Sequence, residues 1–124
     1  MITKPIPYGR QHITDEDIQC VIDALKSDYL TQGPKIKEFE EAFASYVGCK
    51  YAIAVNNATA GLHLAATALD VNLGDKVIVT PLTFAASANC IRFRGGEVVF
   101  CDVEEDTYLM DIKKLSRLLS QSPK

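Results

Sequence analysis

The sequence predicts an α/β fold with a partly parallel sheet. From Lys50 onward, short apolar runs alternate with stretches of helical spacing in the order strand, helix, strand, helix, strand, helix. Each run is apolar along its whole length, which is typical of strands covered on both faces. The predicted strands are Ala52–Val55, Val77–Thr80 and Val98–Cys101. The predicted helices are 59–69, 84–94 and 111–120, the last capped by Asp111.

Two further helices are predicted before the first strand. Thr14 is followed by three acidic residues, a pattern that favours a helix start, and the helix is expected to run to about Lys26. Pro34 suits the first position of the second helix and Gly48 its end. A stripe on this helix is expected to be buried: Ile36, Phe39, Phe43, Tyr46 and Val47. We therefore predict a helical segment at 1–49 and a partial α/β domain at 50–124.

Composition excludes several classes of function. The 124 residues carry a formal net charge of −3 with scattered basic residues, so no nucleic-acid-binding face is expected. No apolar run is long enough to span a bilayer, and the first residues lack the apolar core of a secretion signal. A cytoplasmic protein is predicted. The four cysteines show no metal-ligand or redox spacing and are expected to be free and buried, with no metal site.

The segment Val55–Leu62 is the strongest candidate for a binding site. It leads from a predicted strand through small polar residues directly into a helix. Free backbone N–H groups at such a helix start, together with the helix dipole, favour a phosphate. The small side chains of Ala58 and Ala60 let an anion approach, and the Thr59 hydroxyl can donate one more hydrogen bond. A plain helix cap on Asn57 or Thr59, with no ligand, is the alternative.

Together with three other segments, this one resembles the amino-terminal part of the DegT/DnrJ/StrS family of sugar aminotransferases. The resemblance covers about Ile6 to Leu119 and implies the amino-terminal part of the large domain of a fold-type I, pyridoxal-phosphate-dependent transferase. Family members are much longer, so an incomplete sheet and a fragment, a split gene product or a chain needing a partner are expected. The three other segments are Ser27–Pro34, Val77–Asn89 and Glu97–Val103.

The resemblance implies roles in cofactor binding. Thr59 and Ala60 match positions that hold the cofactor phosphate, and Phe84 matches the aromatic residue that stacks on the cofactor ring. Ordinary core packing is the alternative for Phe84. The family's Schiff-base lysine and pyridine-facing aspartate have no match in this chain, so no catalytic residue is predicted. Asp102, which follows a strand, is interpreted as a turn or cap acid.

The resemblance also implies a nucleotide-sugar substrate. The branch most similar to this chain aminates UDP-linked 4-keto-6-deoxy-N-acetylhexosamines, with glutamate as the usual donor, and serves pseudaminic acid and surface-polysaccharide synthesis. A homodimer or pairing with a remaining chain is expected. The alternatives are a non-catalytic chain that binds a phosphate ligand or a partner, and an unrelated nucleotide-binding domain, although no glycine-rich nucleotide motif is present. The matched substrate residues are Tyr8, Asp28, Tyr29, Leu30, Thr31 and Ala58.

Overall fold

A computed structural model describes residues 7–121 of the chain. The chain divides into two compact units, which we call the first unit, Met1–Ala54, and the second unit, Val55–Lys124. The predicted division after residue 49 lies slightly upstream of this boundary. Within residues 7–121, the first unit holds two helices, and the second holds three helices and two strands. The alternation of helix and strand in the second unit confirms the α/β class.

The helices of the first unit are fixed by local signals at their ends. Helix α1 spans Asp15–Lys26 and begins with a capping box, in which the Asp17 N–H donates to Thr14 Oγ1 at 3.2 Å and the Thr14 N–H donates to Asp17 Oδ2 at 2.8 Å. Helix α2 spans Pro34–Val47 and ends at Gly48, whose φ of 72° is left-handed. Both predicted helices are therefore confirmed, with their starts.

The apolar stripe of α2 is not buried, so that prediction was wrong. Phe39 is 58% exposed and Tyr46 is 89% exposed, and Ala44 is the buried residue of this helix. An amphipathic helix is buried only where a second element packs along its apolar face. In residues 7–54, α1 leaves its own apolar residues Ile18, Val21 and Leu25 exposed as well. Helical spacing correctly predicted the helix but not its environment.

The second unit is built around a parallel β-α-β arrangement. Strands β1, Lys76–Val79, and β2, Glu97–Phe100, pair in parallel with Ile78 opposite Val99. Helix α4, Ala86–Arg92, connects them and packs on both strands, as a parallel pair requires. Helix α3, Ala58–Ala68, packs against α4, and helix α5, Ile112–Gln121, follows β2.

A small core holds this arrangement together. The buried residues Ala66, Val71, Cys90 and Ile91 form one cluster, with Val77 and Val98 packed against it. Gly96 is a point of close approach, because a Cβ there would lie 2.9 Å from methyl carbons of both Ile91 and Val71. Glycine lets the chain enter β2 directly over the core. The second unit thus joins α3, α4 and both strands through one cluster.

The predicted strand at Ala52–Val55 is not a strand in the structure. The segment has no regular secondary structure, and the two-stranded sheet contains β1 and β2. A strand exists only where a neighbour supplies the hydrogen-bonded ladder, and residues 7–121 supply none for this segment. Its side chains alternate, with Tyr51, Ile53 and Val55 exposed and the two alanines half-buried.

Asp102 stabilises the connection between β2 and α5. Its carboxylate pairs with Lys114 Nζ at 2.8 Å, and the Asp111 carboxylate caps α5 by accepting from the Lys113 N–H at 2.8 Å. The hydrogen bond from Lys114 lowers the pKa of Asp102 and in turn raises the pKa of Lys114. The backbone N–H of Lys114 lowers the pKa of Asp111. These contacts agree with a structural interpretation of Asp102.

The four cysteines are free but differ in exposure between the units. Cys90 and Cys101 in the second unit are buried, at 5% and 1% exposure. Cys20 and Cys49 in the first unit are exposed. The prediction of free thiols is confirmed, while the prediction that all of them are buried was wrong for the first unit. Since the apolar faces of α1 and α2 are uncovered, thiols carried by that unit stay accessible.

Candidate functional site

The start of α3 is capped by the side chain of Asn57. Asn57 is extended, and its Oδ1 accepts a hydrogen bond from the Ala60 N–H at 2.9 Å. The Gly61 N–H donates to the Asn57 carbonyl at 3.2 Å and begins the helical pattern. Asn57 is therefore the N-cap of α3. This cap also means that the Ala60 N–H, predicted to hold phosphate, is engaged within the chain.

Two backbone donors remain at this helix start. Within residues 7–121, the N–H groups of Ala58 and Thr59 have no hydrogen-bond partner, and both residues are exposed. The Thr59 hydroxyl lies on the same first turn. The stretch Val55–Leu69 contains no Lys, Arg, Asp or Glu, so an anion here would meet neutral donors and the helix dipole. Two amides and one hydroxyl can hold a phosphate at this helix start.

Phe84 presents its ring to solvent just before α4. The side chain is 77% exposed, so core packing does not account for it in the described residues. Its backbone is held at the helix entry, because the Ser87 N–H donates to the Phe84 carbonyl at 3.0 Å. Thr83 Oγ1 and Ser87 Oγ are 3.0 Å apart across the same turn. A fixed backbone with an exposed phenyl ring leaves the ring available for stacking.

Two of the predicted substrate residues line a pocket in the first unit. Tyr29 and Leu30 are among the residues around a largely apolar pocket of about 230 Å³ that is also lined by Val21 and Ile36. Gly33 is needed for this loop, since a Cβ there would lie 2.7 Å from Tyr29 Cβ. The loop therefore folds back tightly onto the start of α2. The sequence placed Gly33 only within the segment Ser27–Pro34 and did not predict this close approach.

The remaining predicted substrate residues are exposed but are not gathered with these. Tyr8 is fully exposed, and Asp28 and Thr31 also face solvent. Asp28 and Thr31 do not line the pocket that holds Tyr29. Ala58 lies in the second unit, at the start of α3. Their assignment to substrate binding stays a prediction, as do those of Thr59, Ala60 and Phe84 to the cofactor.

Glu40, a residue of α2, makes a contact that the sequence did not predict. Its Oε1 accepts a hydrogen bond from the Ala54 N–H at 2.7 Å, and the residue is half-buried. The signal that could have revealed it is position: Glu40 lies at helical spacing with Ile36, Phe43 and Val47. An acid inside an apolar stripe indicates a specific partner, whereas the glutamates at 38 and 41 pair with lysines in solvent.

Comparison with known proteins identifies the family. Residues 11–124 match the DegT/DnrJ/EryC1/StrS aminotransferase family. The chain belongs to this family. It is 44% identical over 118 residues to the UDP-4-amino-4,6-dideoxy-N-acetyl-beta-L-altrosamine transaminase of Campylobacter jejuni, an alignment that covers 94% of this chain and 31% of that protein. The resemblance predicted from the motifs is thereby confirmed.

Solved structures of family members share the fold. Helicobacter pylori PseC, an aminotransferase involved in the biosynthesis of pseudoaminic acid, gives a TM-score of 0.86 at 32% identity, over 93% of this chain and 31% of that one. The PLP-form of the putative sugar aminotransferase Spr1654 from Streptococcus pneumoniae gives 0.85 at 38% identity, over 90% and 29%. The family and this PLP-form neighbour indicate pyridoxal phosphate as the cofactor, as predicted.

The match is confined to one part of the relatives. The chain spans 31% of the length of these curated relatives. In the part of the chain that the structure describes, no helix is long and apolar enough to cross a membrane. Residues 7–121 also contain no cluster of side chains suited to a metal ion.

Proposed function

We propose that this chain is the amino-terminal part of a pyridoxal-phosphate-dependent sugar-nucleotide aminotransferase and that it binds the cofactor. The observation that carries the proposal is the start of α3, where the Ala58 and Thr59 amides are free and exposed. When bound, the cofactor accepts an amino group from a donor and passes it to a keto carbon. The residues described above would contribute binding and orientation to that chemistry.

Each predicted cofactor residue has a distinct part in the proposal. The Thr59 hydroxyl and the amides of Ala58 and Thr59 hold the phosphate oxygens, while Asn57 fixes the first turn through the Ala60 N–H. Phe84 covers one face of the cofactor ring and shields it from water. Because neutral donors replace basic side chains at this helix start, the isolated chain is expected to bind the cofactor weakly. Catalysis is assigned to groups other than these.

The proposed substrate is a UDP-linked 4-keto-6-deoxy-N-acetylhexosamine that is aminated at C4, with glutamate as donor. Support comes from the names of the relatives in Campylobacter jejuni and Helicobacter pylori. The pocket beside Tyr29 and Leu30, together with the exposed Asp28 and Thr31, is the candidate surface for the sugar nucleotide in the first unit. Loop residues held between two helices suit such recognition. Tyr8 and Ala58 complete the proposed set.

Titration of the 124-residue chain with pyridoxal phosphate and with inorganic phosphate, followed by backbone NMR, tests the cofactor proposal. Both ligands are expected to shift the amide signals of Ala58 and Thr59. Thr59→Val should lower the affinity for both ligands by about threefold to tenfold, because the site loses the hydroxyl that donates to the phosphate. Phe84→Leu should lower the affinity for pyridoxal phosphate and leave the affinity for inorganic phosphate unchanged, since inorganic phosphate has no ring to stack on Phe84.

Matched variants serve as controls for this titration. Thr67→Val removes a hydroxyl that donates to the His63 carbonyl on the same helix, away from its start. Phe100→Leu removes a similarly exposed phenyl ring at the end of β2. Neither should change the affinity for either ligand. An absence of shifts at Ala58 and Thr59 with both ligands would refute the proposed role of the helix start.

A second polypeptide is also part of the proposal, either a copy of this chain or one that carries the remaining fold. Exposed apolar side chains on both units favour it, among them Phe39 at 58% in the first unit and Phe93 at 62% in the second. Such exposure is typical of an interface that another surface covers. Sedimentation at increasing concentration should reveal self-association, and a stable monomer at every concentration would argue against the second copy.

A further inference from the structure

We propose that the hydroxyl pair of Thr83 and Ser87 positions the Phe84 ring for stacking on the cofactor. Thr83 Oγ1 and Ser87 Oγ are 3.0 Å apart, and Phe84 lies between the two residues in the chain. Both hydroxyls act through Phe84, and neither is assigned a contact with the cofactor. The inference rests on the proposed function, because that function gives Phe84 a ring on which to stack.

Two hydrogen bonds that hold Phe84 in place converge on Ser87. The Ser87 hydroxyl shares a hydrogen bond with Thr83, which holds the residue before Phe84. The Ser87 N–H donates to the Phe84 carbonyl at 3.0 Å, which holds the residue itself. Phe84 therefore belongs to a turn that is closed by one side-chain and one backbone hydrogen bond. Each closure removes conformations that the turn would otherwise sample.

Ser87 is a firm anchor because its helix is fixed in the core of the second unit. Its neighbours on α4, Ala86 and Cys90, are 4% and 5% exposed, and Cys90 belongs to the buried cluster. Cys90 Sγ also donates to the Ser87 carbonyl at 3.3 Å. Ser87 itself is half-buried, so water competes less for its hydroxyl than it does at a fully exposed position. A residue tied to Ser87 is thereby tied to the core.

Phe84 needs a restraint on its backbone because its ring is not packed. With a side chain that is 77% exposed, little of its orientation can come from contacts of the ring. Stacking between aromatic rings depends on their separation and offset, and a group that is ordered in advance binds more tightly. Because α3 packs against α4, the phosphate-binding helix start and the Phe84 turn belong to the same packed unit.

Hydrogen exchange in the ligand-free 124-residue chain tests the restraint itself. The Ser87 amide is expected to exchange at least about tenfold more slowly than that of Thr83, for which residues 7–121 supply no acceptor. Thr83→Val keeps the shape of an exposed side chain and removes its hydroxyl, so it should speed the exchange of Ser87 about threefold. Thr83→Ser keeps the hydroxyl and should leave this exchange unchanged.

Titration with pyridoxal phosphate, read at the Thr59 amide, tests the purpose of the restraint. Thr83→Val should raise the dissociation constant for pyridoxal phosphate about threefold and leave that for inorganic phosphate unchanged. In a Phe84→Leu background the same change should have no further effect, since the hydroxyl acts only through the ring. Thr83→Ser should bind within about 1.5-fold of the wild type, and Ser87→Ala should match Thr83→Val.

Thr107→Val is the matched control. It removes an exposed hydroxyl that donates to Glu104 Oε2 at 3.0 Å in a different turn of the second unit. Because this turn lies outside the segment that carries Phe84, the variant should leave the exchange of Ser87 and the affinity for both ligands unchanged.

Two results would overturn the inference. One is an unchanged exchange rate of Ser87 in Thr83→Val. The other is an equal loss of affinity from Thr83→Val with and without the Phe84 ring, which would mean that the hydroxyl acts independently of Phe84. Failure of the proposed function is recognised separately, by wild-type signals of Ala58 and Thr59 that move with neither pyridoxal phosphate nor inorganic phosphate.

Discussion

The two units of the chain carry similar apolar patterns, but apolar residues are buried in a core in the second unit and stay exposed in the first. In the second unit the pattern closes on itself, since α4 connects β1 to β2 and brings Ile91 to 6% exposure. In the first unit the apolar residues of α2 stay open, with Phe39 at 58% exposure. A parallel β-α-β connection gathers residues far apart in sequence, whereas two helices without a third element do not. Topology therefore decides which apolar residues become core.

The largest expected effect comes from removing the core of the second unit. Ile91→Ala deletes buried methyl groups that contact Gly96 and Val71, and it should cost about 2–5 kcal/mol of the free energy of unfolding. The matched change in the first unit, Ile36→Ala, affects a side chain that is 46% exposed and should cost less than about 1 kcal/mol. Urea unfolding of both variants measures the difference.

Hydrogen exchange assigns that loss to a region. The Cys101 amide donates to the Val79 carbonyl at 3.0 Å and reports on the end of the parallel ladder. Ile91→Ala should abolish its protection and Ile36→Ala should leave it intact. Equal effects of the two variants would mean that the contrast between the units is not energetic.

A smaller effect is expected from crowding the loop of the first unit. Gly33→Ala places a Cβ 2.7 Å from Tyr29 Cβ, and the φ of −81° at Gly33 suits alanine, so the cost is steric. About 1–3 kcal/mol of stability and a shifted Tyr29 ring signal in NMR spectra are expected. Gly9→Ala, where nothing lies within 4 Å of the new carbon, is the control. An unchanged Tyr29 signal would contradict the expected steric clash with the new Cβ.

The smallest expected effects are on the pH dependence of stability. A different carboxylate in each unit contributes to it. A backbone hydrogen bond from Thr14 lowers the pKa of Asp17 in the first unit, and Lys114 lowers that of Asp102 in the second. A lowered carboxyl pKa stabilises the fold above its ordinary value near 3.8, and this contribution is lost as the pH falls through the folded-state value. Helix content followed by circular dichroism should therefore decline below about pH 4.

The variant Asp102→Asn distinguishes the two contributions. It should remove the acid response of the Val103 amide signal, whose N–H donates to Asp102 Oδ1 at 2.9 Å, and leave the acid response of α1 unchanged. The raised pKa of Lys114 predicts that its contribution is complete below pH 10.5 and is lost only as the pH rises through the folded-state value. A Val103 signal that responds to acid in this variant as it does in the wild type would contradict the assignment to Asp102.

Local signals in the sequence predicted most of the fold. Thr14, Pro34, Gly48 and Asp111 each mark a helix end that the structure confirms, because a cap depends on neighbours within about four residues. The strand at Ala52–Val55 failed for the opposite reason, since its existence depends on a distant neighbour. The burial of α2 failed in the same way. Periodicity describes an element, and its surroundings come from other parts of a fold.

In the candidate site, too, features that depend on neighbouring residues could be predicted, and contacts with distant residues could not. The helix start at Thr59 and the aromatic residue at Phe84 could be found from motifs, which together implied a family that the comparisons confirm. The capping of Ala60 by Asn57 was foreseen only as an alternative, and the contact between Glu40 and Ala54 was not foreseen. That contact joins a helix to a distant extended segment, and no local pattern encodes its distance.

The thiols differ in exposure between the two units, so their reactivity can report local unfolding of the second unit. Because Cys20 and Cys49 are accessible while Cys90 and Cys101 are shielded, a maleimide dye should label the first pair at once. Labelling of the second pair must wait for the β-α-β region to expose its interior, so its slow phase times that event alone. Mass spectrometry counts the dyes attached, so it would follow the opening of the second unit after the thiols of the first unit are fully labelled.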